Sequence, residues 1–96
     1  MHVLLWRFRP RPGSEEEFVA AYGDDGAWAR LFGMADGFLG TELMRGSDGV
    51  YLTVDRWSSE EAWKAFRESH AARYAELDAA SAPLTIEETF LCAVNA

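Results

Sequence analysis

The sequence is poor in the residues that build cross-links and metal sites. Its one cysteine, Cys92, excludes an internal disulfide. Its two histidines, His2 and His70, form no zinc-type cluster with it, and no histidine–carboxylate pair stands at a recognisable metal spacing. Positive charge is scarce as well: nine basic residues face sixteen acidic ones, for a net charge of −7. Binding to nucleic acid or to an anionic membrane surface rests largely on neutralising phosphates, and this balance opposes both. No apolar run approaches the roughly 20 residues that span a bilayer. The opening, MHVLLWRFR, lacks the basic leader, long apolar stretch and small-residue cleavage site of a secretory signal. A cytoplasmic protein with a reduced thiol is expected. No glycine-rich loop opens a helix after a parallel strand, so there is no flavin or nicotinamide signature and no cofactor is expected. With no repeats, low-complexity stretches or linkers, the 96 residues make one domain, 1–96.

What is abundant is bulky apolar material. Hydrophobic residues make up 49% of the chain and four of them are Trp. A domain this small buries a limited fraction of its surface. Either its core is unusually aromatic, or a partner covers part of the apolar surface.

Val3 to Arg9 reads as a first strand, stopped by Pro10, Pro12 and Gly13. Ser14 opens a helix, with Glu17 at capping-box spacing and Phe18, Ala21 and Tyr22 on its buried side. Gly23-Asp24-Asp25-Gly26 breaks it, and Ala27 to Met34 forms a second short helical piece burying Trp28, Leu31 and Phe32. Phe38 to Arg45 and Val50 to Trp57 read as a hairpin joined by Gly46-Ser47-Asp48-Gly49. Ser58, with Glu61, caps a long helix whose periodicity runs to about Leu77, and Thr85 to Val94 is a last strand with Ile86, Phe90, Cys92 and Val94 on one face. The order β-α-β-β-α-β predicts an α+β, ferredoxin-like fold, an antiparallel sheet with helices on one face.

A free opposite face should be polar. Here neither is. The first strand offers Leu4, Trp6 and Phe8 against Val3 and Leu5; the hairpin offers Phe38 and Met44 against Leu39 and Leu43, and Tyr51 and Trp57 against Leu52 and Val54. Two-sided burial predicts a second copy packed sheet against sheet in a symmetric homodimer.

Trp63, Phe66, His70, Tyr74 and Leu77 step by three or four along the long helix, so they share a face. His70 in that stripe is either a pocket group or a packed core residue. Its ordinary pKa near neutrality makes it the candidate base. Trp63, Tyr51 and Tyr74 are suited to orient an aromatic ligand, and Arg45 or Arg7 to stabilise negative charge if either turns inward. Asp55 stands in an apolar strand; it lines the site or pairs with Arg56 or Arg45.

Three segments, FRPRPGSEEEFVAAY, GFLGTEL and YLTVDRWSSEEAWKAF, together resemble the antibiotic biosynthesis monooxygenase family of the dimeric α+β barrel superfamily. The resemblance covers nearly the whole chain and implies the fold and the dimer. It also implies a ligand pocket between sheet and helices, with Trp63, Phe66, His70 and Tyr74 on its helical wall. The sheet wall would be Trp6 or its neighbours with Tyr51, Thr53 and Asp55, or alternatively Leu52 and Val54. The same fold hosts several chemistries, so activity must be argued from the site.

The implied activity is cofactor-independent monooxygenation of a small aromatic or polyketide-like compound. A phenol or carbon acid loses a proton, and its anion gives an electron to O₂. Such a site needs an apolar cavity, a base of suitable pKa and donors for the anion. A second reading is a non-oxygenase barrel, either a small-ligand binder or a cyclase or isomerase using the same acid–base groups. Haem binding through His70 is a minor alternative. The haem-degrading branch of the family carries an Asn on its first strand and a Trp and His on its second helix. Here the first strand has no Asn, and Phe66 and Glu76 stand at the other two places.

Overall fold

A computed structural model describes residues 1–96. Strand β1 (His2–Pro10) leads to helices α1 (Glu15–Tyr22) and α2 (Ala27–Phe32). The hairpin β2 (Phe38–Arg45) and β3 (Tyr51–Trp57) follows. Helices α3 (Glu60–Ser69) and α4 (Ala71–Ser81), a 3₁₀ turn (Ala82–Leu84) and β4 (Thr85–Asn95) complete the chain. The sheet order is β2-β3-β1-β4 with every neighbouring pair antiparallel, which is the expected ferredoxin-like arrangement. No helix is long and apolar enough to cross a membrane.

The helix starts differ from expectation. Ser14 makes no side-chain cap bond: its ψ of 10° is outside the extended region that lets a capping hydroxyl turn back over the first turn. The second cap is Ser59, not Ser58. Ser59 is extended, at φ −159° and ψ 163°, and its Oγ accepts from Ala62 N at 3.0 Å. That shift puts Ala62, not Glu61, at the reciprocal position, so no capping box forms. Ser58 N instead donates to Gly37 O at 2.8 Å.

The single long helix is in fact two. His70, at φ −118° and ψ 26°, closes α3 and opens α4. Just before the break, Ser69 Oγ donates to Ala65 O at 2.8 Å, a bond to the fourth residue back that bends helices. Trp63, Phe66, Tyr74 and Leu77 still pack against the core across this break.

Three register shifts interrupt the sheet: one lies at Ile86, where Arg9 pairs with Glu87 but Pro10 with Thr85, and the other two set the facing of Phe38 and Phe90. Between Phe38 and Gly40 the β2–β3 register slips by one residue, and between Phe90 and Cys92 the β4–β1 register does the same. The first brings Phe38 onto the helix side with Leu43, while Leu39 and Met44 are exposed. The second pairs Phe90 with Trp6 but Cys92 with Leu5 and Val94 with Val3, so Ile86, Phe90, Cys92 and Val94 do not share one face as a strict alternation predicts. Behind the sheet, Phe18, Trp57 and Phe66 are the most deeply buried large side chains, in a core that is mainly aromatic.

Candidate active site

The sheet parity left open by the sequence is settled on β3. Tyr51, Thr53, Asp55 and Trp57 face the helices and are buried. Between Thr53 and Asp55 and the helices lies a cavity of about 40 Å³. Trp6 and Phe8 of β1 and Thr41 of β2 complete its floor. Tyr22, Trp28 and Phe32 of α1 and α2 form one wall. Tyr74 and Asp78 of α4 meet Glu88 of β4 at the other side, where the exposed Asp78 and Glu88 form a mouth. Ligand pockets usually measure about 300–1,000 Å³. An aromatic ring is larger than this void.

The aromatic walls hold each other. Phe8 lies 4.6 Å from Tyr22 between ring centroids, and Trp28 meets Tyr74 edge-on at 5.0 Å. Trp28 Nε1 donates to the buried Ser81 Oγ at 3.1 Å, which locks the indole. Burial, reinforced by the charge of Glu88, drives the Tyr22 hydroxyl well above the ordinary phenol range, so it stays protonated. Burial raises Tyr74 too, partly offset by Arg67, whose guanidinium sits 4.1 Å from the Tyr74 ring centre.

Asp55 is the group of greatest chemical interest. It is only 7% exposed. Thr41 Oγ1 donates to its Oδ1 at 2.5 Å, and no other group hydrogen-bonds it. Burial pushes the carboxyl up to about 6, against the Thr41 bond, which lowers it. The arginines considered as partners are engaged elsewhere. Arg56 pairs with Glu42, Arg45 Nη2 lies 3.4 Å from Glu15 Oε1, and Arg7 is 2.9 Å from Glu87. Arg7 is therefore not turned inward.

Of the residues singled out in the sequence, Trp6, Thr53, Asp55 and Tyr74 converge on the cavity. His70 does not. Its ring stacks on Phe66 at 5.0 Å and its Nδ1 lies 3.1 Å from Ser69 Oγ, outside the cavity lining. Trp63 and Phe66 pack on Trp57, each at 5.2 Å. Tyr51 donates to Glu15 Oε1 at 2.5 Å and joins Arg45 at the hairpin end, away from the cavity. Tyr22, Trp28, Phe32, Thr41, Asp78 and Glu88 also line the cavity, without a mark in the sequence that sets them apart as site residues. Asp78 stands four residues beyond Tyr74 and so on the same helix face. Glu88 depends on its pairing with Phe8, which sequence does not give.

The sequence matches the antibiotic biosynthesis monooxygenase family over residues 1–76. The chain belongs to that family. No curated protein matches it. Among solved structures it is similar to a proposed antibiotic biosynthesis monooxygenase from Bordetella bronchiseptica, at 24% identity and a TM-score of 0.75, covering 99% of this chain and 95% of that one. It is also similar to the ActVA-Orf6 monooxygenase of Streptomyces coelicolor, solved with nanaomycin D, at 22% identity and a TM-score of 0.71, covering 99% and 88%. SnoaB, a cofactor-independent oxygenase from Streptomyces nogalater, aligns at 19% identity and a TM-score of 0.68, covering 99% and 94%. At these identities the likeness to family members establishes the shared fold.

Proposed function

We propose that this family member is a cofactor-independent monooxygenase for a small, electron-rich aromatic compound, with Asp55 rather than His70 as its base. The observation that carries this reading is Asp55 itself, a buried carboxyl with a single hydrogen-bond donor in the wall of an aromatic cavity. A base works best with a pKa near the operating pH, and burial brings Asp55 closer to that range. Tyr74 has no hydrogen-bond partner for its hydroxyl and lines the same cavity, so it is the donor for a developing substrate anion. In the reaction, an activated methylene carbon gives a proton to Asp55. Its carbanion passes one electron to O₂, and the radical pair joins through a new C–O bond. Asp55 returns the proton, and loss of water from the hydroperoxide leaves a ketone. One oxygen atom ends in product and the other in water. The oxygenase activity of SnoaB and the ligand of the Streptomyces coelicolor relative support the reaction class and an aromatic substrate.

Oxygen uptake with an anthrone tests the reading. Wild type should exceed the uncatalysed rate, Asp55→Asn should lose about 10²–10⁴-fold, and His70→Ala should stay within about twofold of wild type. Uptake unchanged in Asp55→Asn removes the carboxylate from the mechanism.

A homodimer through the outer face of the sheet belongs to the same proposal. Leu39, Met44, Leu91 and Val94 are exposed, and a soluble chain seldom leaves so much apolar sheet surface to water. Sedimentation equilibrium at micromolar concentration should give twice the chain mass, and a monomer there sinks this part of the proposal.

A further inference from the structure

The cavity carries an electrostatic bias that its apolar walls do not explain. Three carboxyl residues line it, Asp55 inside and Asp78 and Glu88 at the mouth, and no Lys, Arg or His does. Asp55 contributes a carboxylate oxygen that no protein group hydrogen-bonds. Burial and then the Asp78 charge raise Glu88. Both carboxylates also act on the hydroxyls of Tyr22 and Tyr74. Arg67 lies outside the lining, with its guanidinium over the rings of Tyr74 and Trp63. The other lining residues are mostly aromatic, and their ring faces carry the negative side of the quadrupole. Carboxylates and aromatic faces attract the same kind of partner, a cation with an apolar body.

We propose that this site takes a ligand pairing an aromatic ring with a protonated amine, the ring entering the cavity and the ammonium held at the mouth between Asp78 and Glu88. The inference rests on the reading of this cavity as the substrate site and adds the charge of the substrate to it. An anionic ligand would meet like charges at the entrance, with Arg67 behind Tyr74 as the nearby cation and none in the lining itself. A neutral phenol would gain the aromatic contacts alone. Ion pairing to the two carboxylates and the cation over aromatic rings together give about a tenfold preference.

Three ligands of matched shape test this: tyramine, 4-ethylphenol and 3-(4-hydroxyphenyl)propionate, measured by isothermal titration at pH 8 and low salt. Tyramine should bind about tenfold more tightly than 4-ethylphenol, and the propionate more weakly than either. Raising NaCl to 0.5 M should shrink the tyramine advantage in the wild-type protein. The Asp78→Asn, Glu88→Gln double variant should bring the three affinities to within about threefold of one another. Equal affinities in wild type, or a preference for the propionate, overturn the inference and leave the aromatic site standing. Failure of all three ligands to bind overturns both.

Discussion

Thr41 and Asp55 face each other across the β2–β3 ladder, and the Thr41 hydroxyl is the one donor that the buried carboxylate has. A carboxylate so placed is costly to ionise, and that cost links stability to pH in a direction opposite to most aspartates. In the unfolded chain an aspartate titrates at about 3.9. In the folded chain Asp55 titrates at about 6. Between those values the folded chain holds the extra proton, so stability falls as pH rises through the window, by up to about 3 kcal/mol once Asp55 is fully ionised.

Replacing Asp55 by Asn removes the charge and keeps an oxygen for Thr41. The variant should be more stable than wild type by about 1–3 kcal/mol at pH 8 and nearly equal to it at pH 4, while losing oxygenase turnover. Urea unfolding at the two pH values reads the difference. A variant less stable than wild type at pH 8 contradicts the account of the buried charge.

Thr41→Val takes away the bond that favours the ionised form. The Asp55 carboxyl should then titrate higher than about 6, moving the acidic limb of the pH–rate profile upward. Because a bond to a charged group is lost, stability at pH 8 should fall by about 1–3 kcal/mol, with a smaller loss at pH 4. A limb that stays in place shows that the group controlling the rate is not Asp55.

The hydroxyl of Tyr74 has no partner in the fold, whereas its ring meets Trp28 and Arg67. Tyr74→Phe keeps the ring contacts. Its stability should lie within about 0.5 kcal/mol of wild type. If the hydroxyl stabilises the substrate anion, kcat should fall by about 10–100-fold, with a smaller change in KM. A change in KM alone would assign the hydroxyl to binding.

The two serines before α3 separate cleanly. Ser59→Ala removes the side-chain cap on Ala62 N and should cost about 1 kcal/mol, whereas Ser58→Ala, which leaves its backbone bond to Gly37 in place, should cost about 0.5 kcal/mol or less. Thermal melts of the two variants check the order, and a reversed order would restore Ser58 as the cap.

The element order was legible because glycine and proline breaks separate the periodic segments, and those signals depend on near neighbours only. The family resemblance, carried by segments that span most of the chain, was legible for the same reason. The site was legible only in part. Tyr74 follows from helix spacing, and Trp6, Thr53 and Asp55 belong to one of the two strand parities between which the sequence does not choose. His70 stacks on Phe66 at the junction of α3 and α4, outside the cavity lining, and the sequence has no signal for which part of the stripe the cavity meets. Glu88 and the facing of Phe38 depend on register, which three shifts reset through pairing between distant segments. Tyr22, Trp28 and Phe32 carried the signal of core residues, and a cavity bounded by core aromatics has no separate mark in the sequence.

The bulge at Leu91 also bears on how the length of this chain can change. Loss of one residue from a regular strand turns every later side chain over. Here Phe90 already pairs with Trp6, and Cys92 with its neighbour Leu5. Excision of Leu91 would join the Trp6–Phe90 and Leu5–Cys92 pairs in regular register with the same residues on the same faces, while the shift at Ile86 would remain. A homologue one residue shorter in its last strand is therefore compatible with this architecture, and its sequence should be aligned with the gap inside the strand rather than moved to the nearest loop.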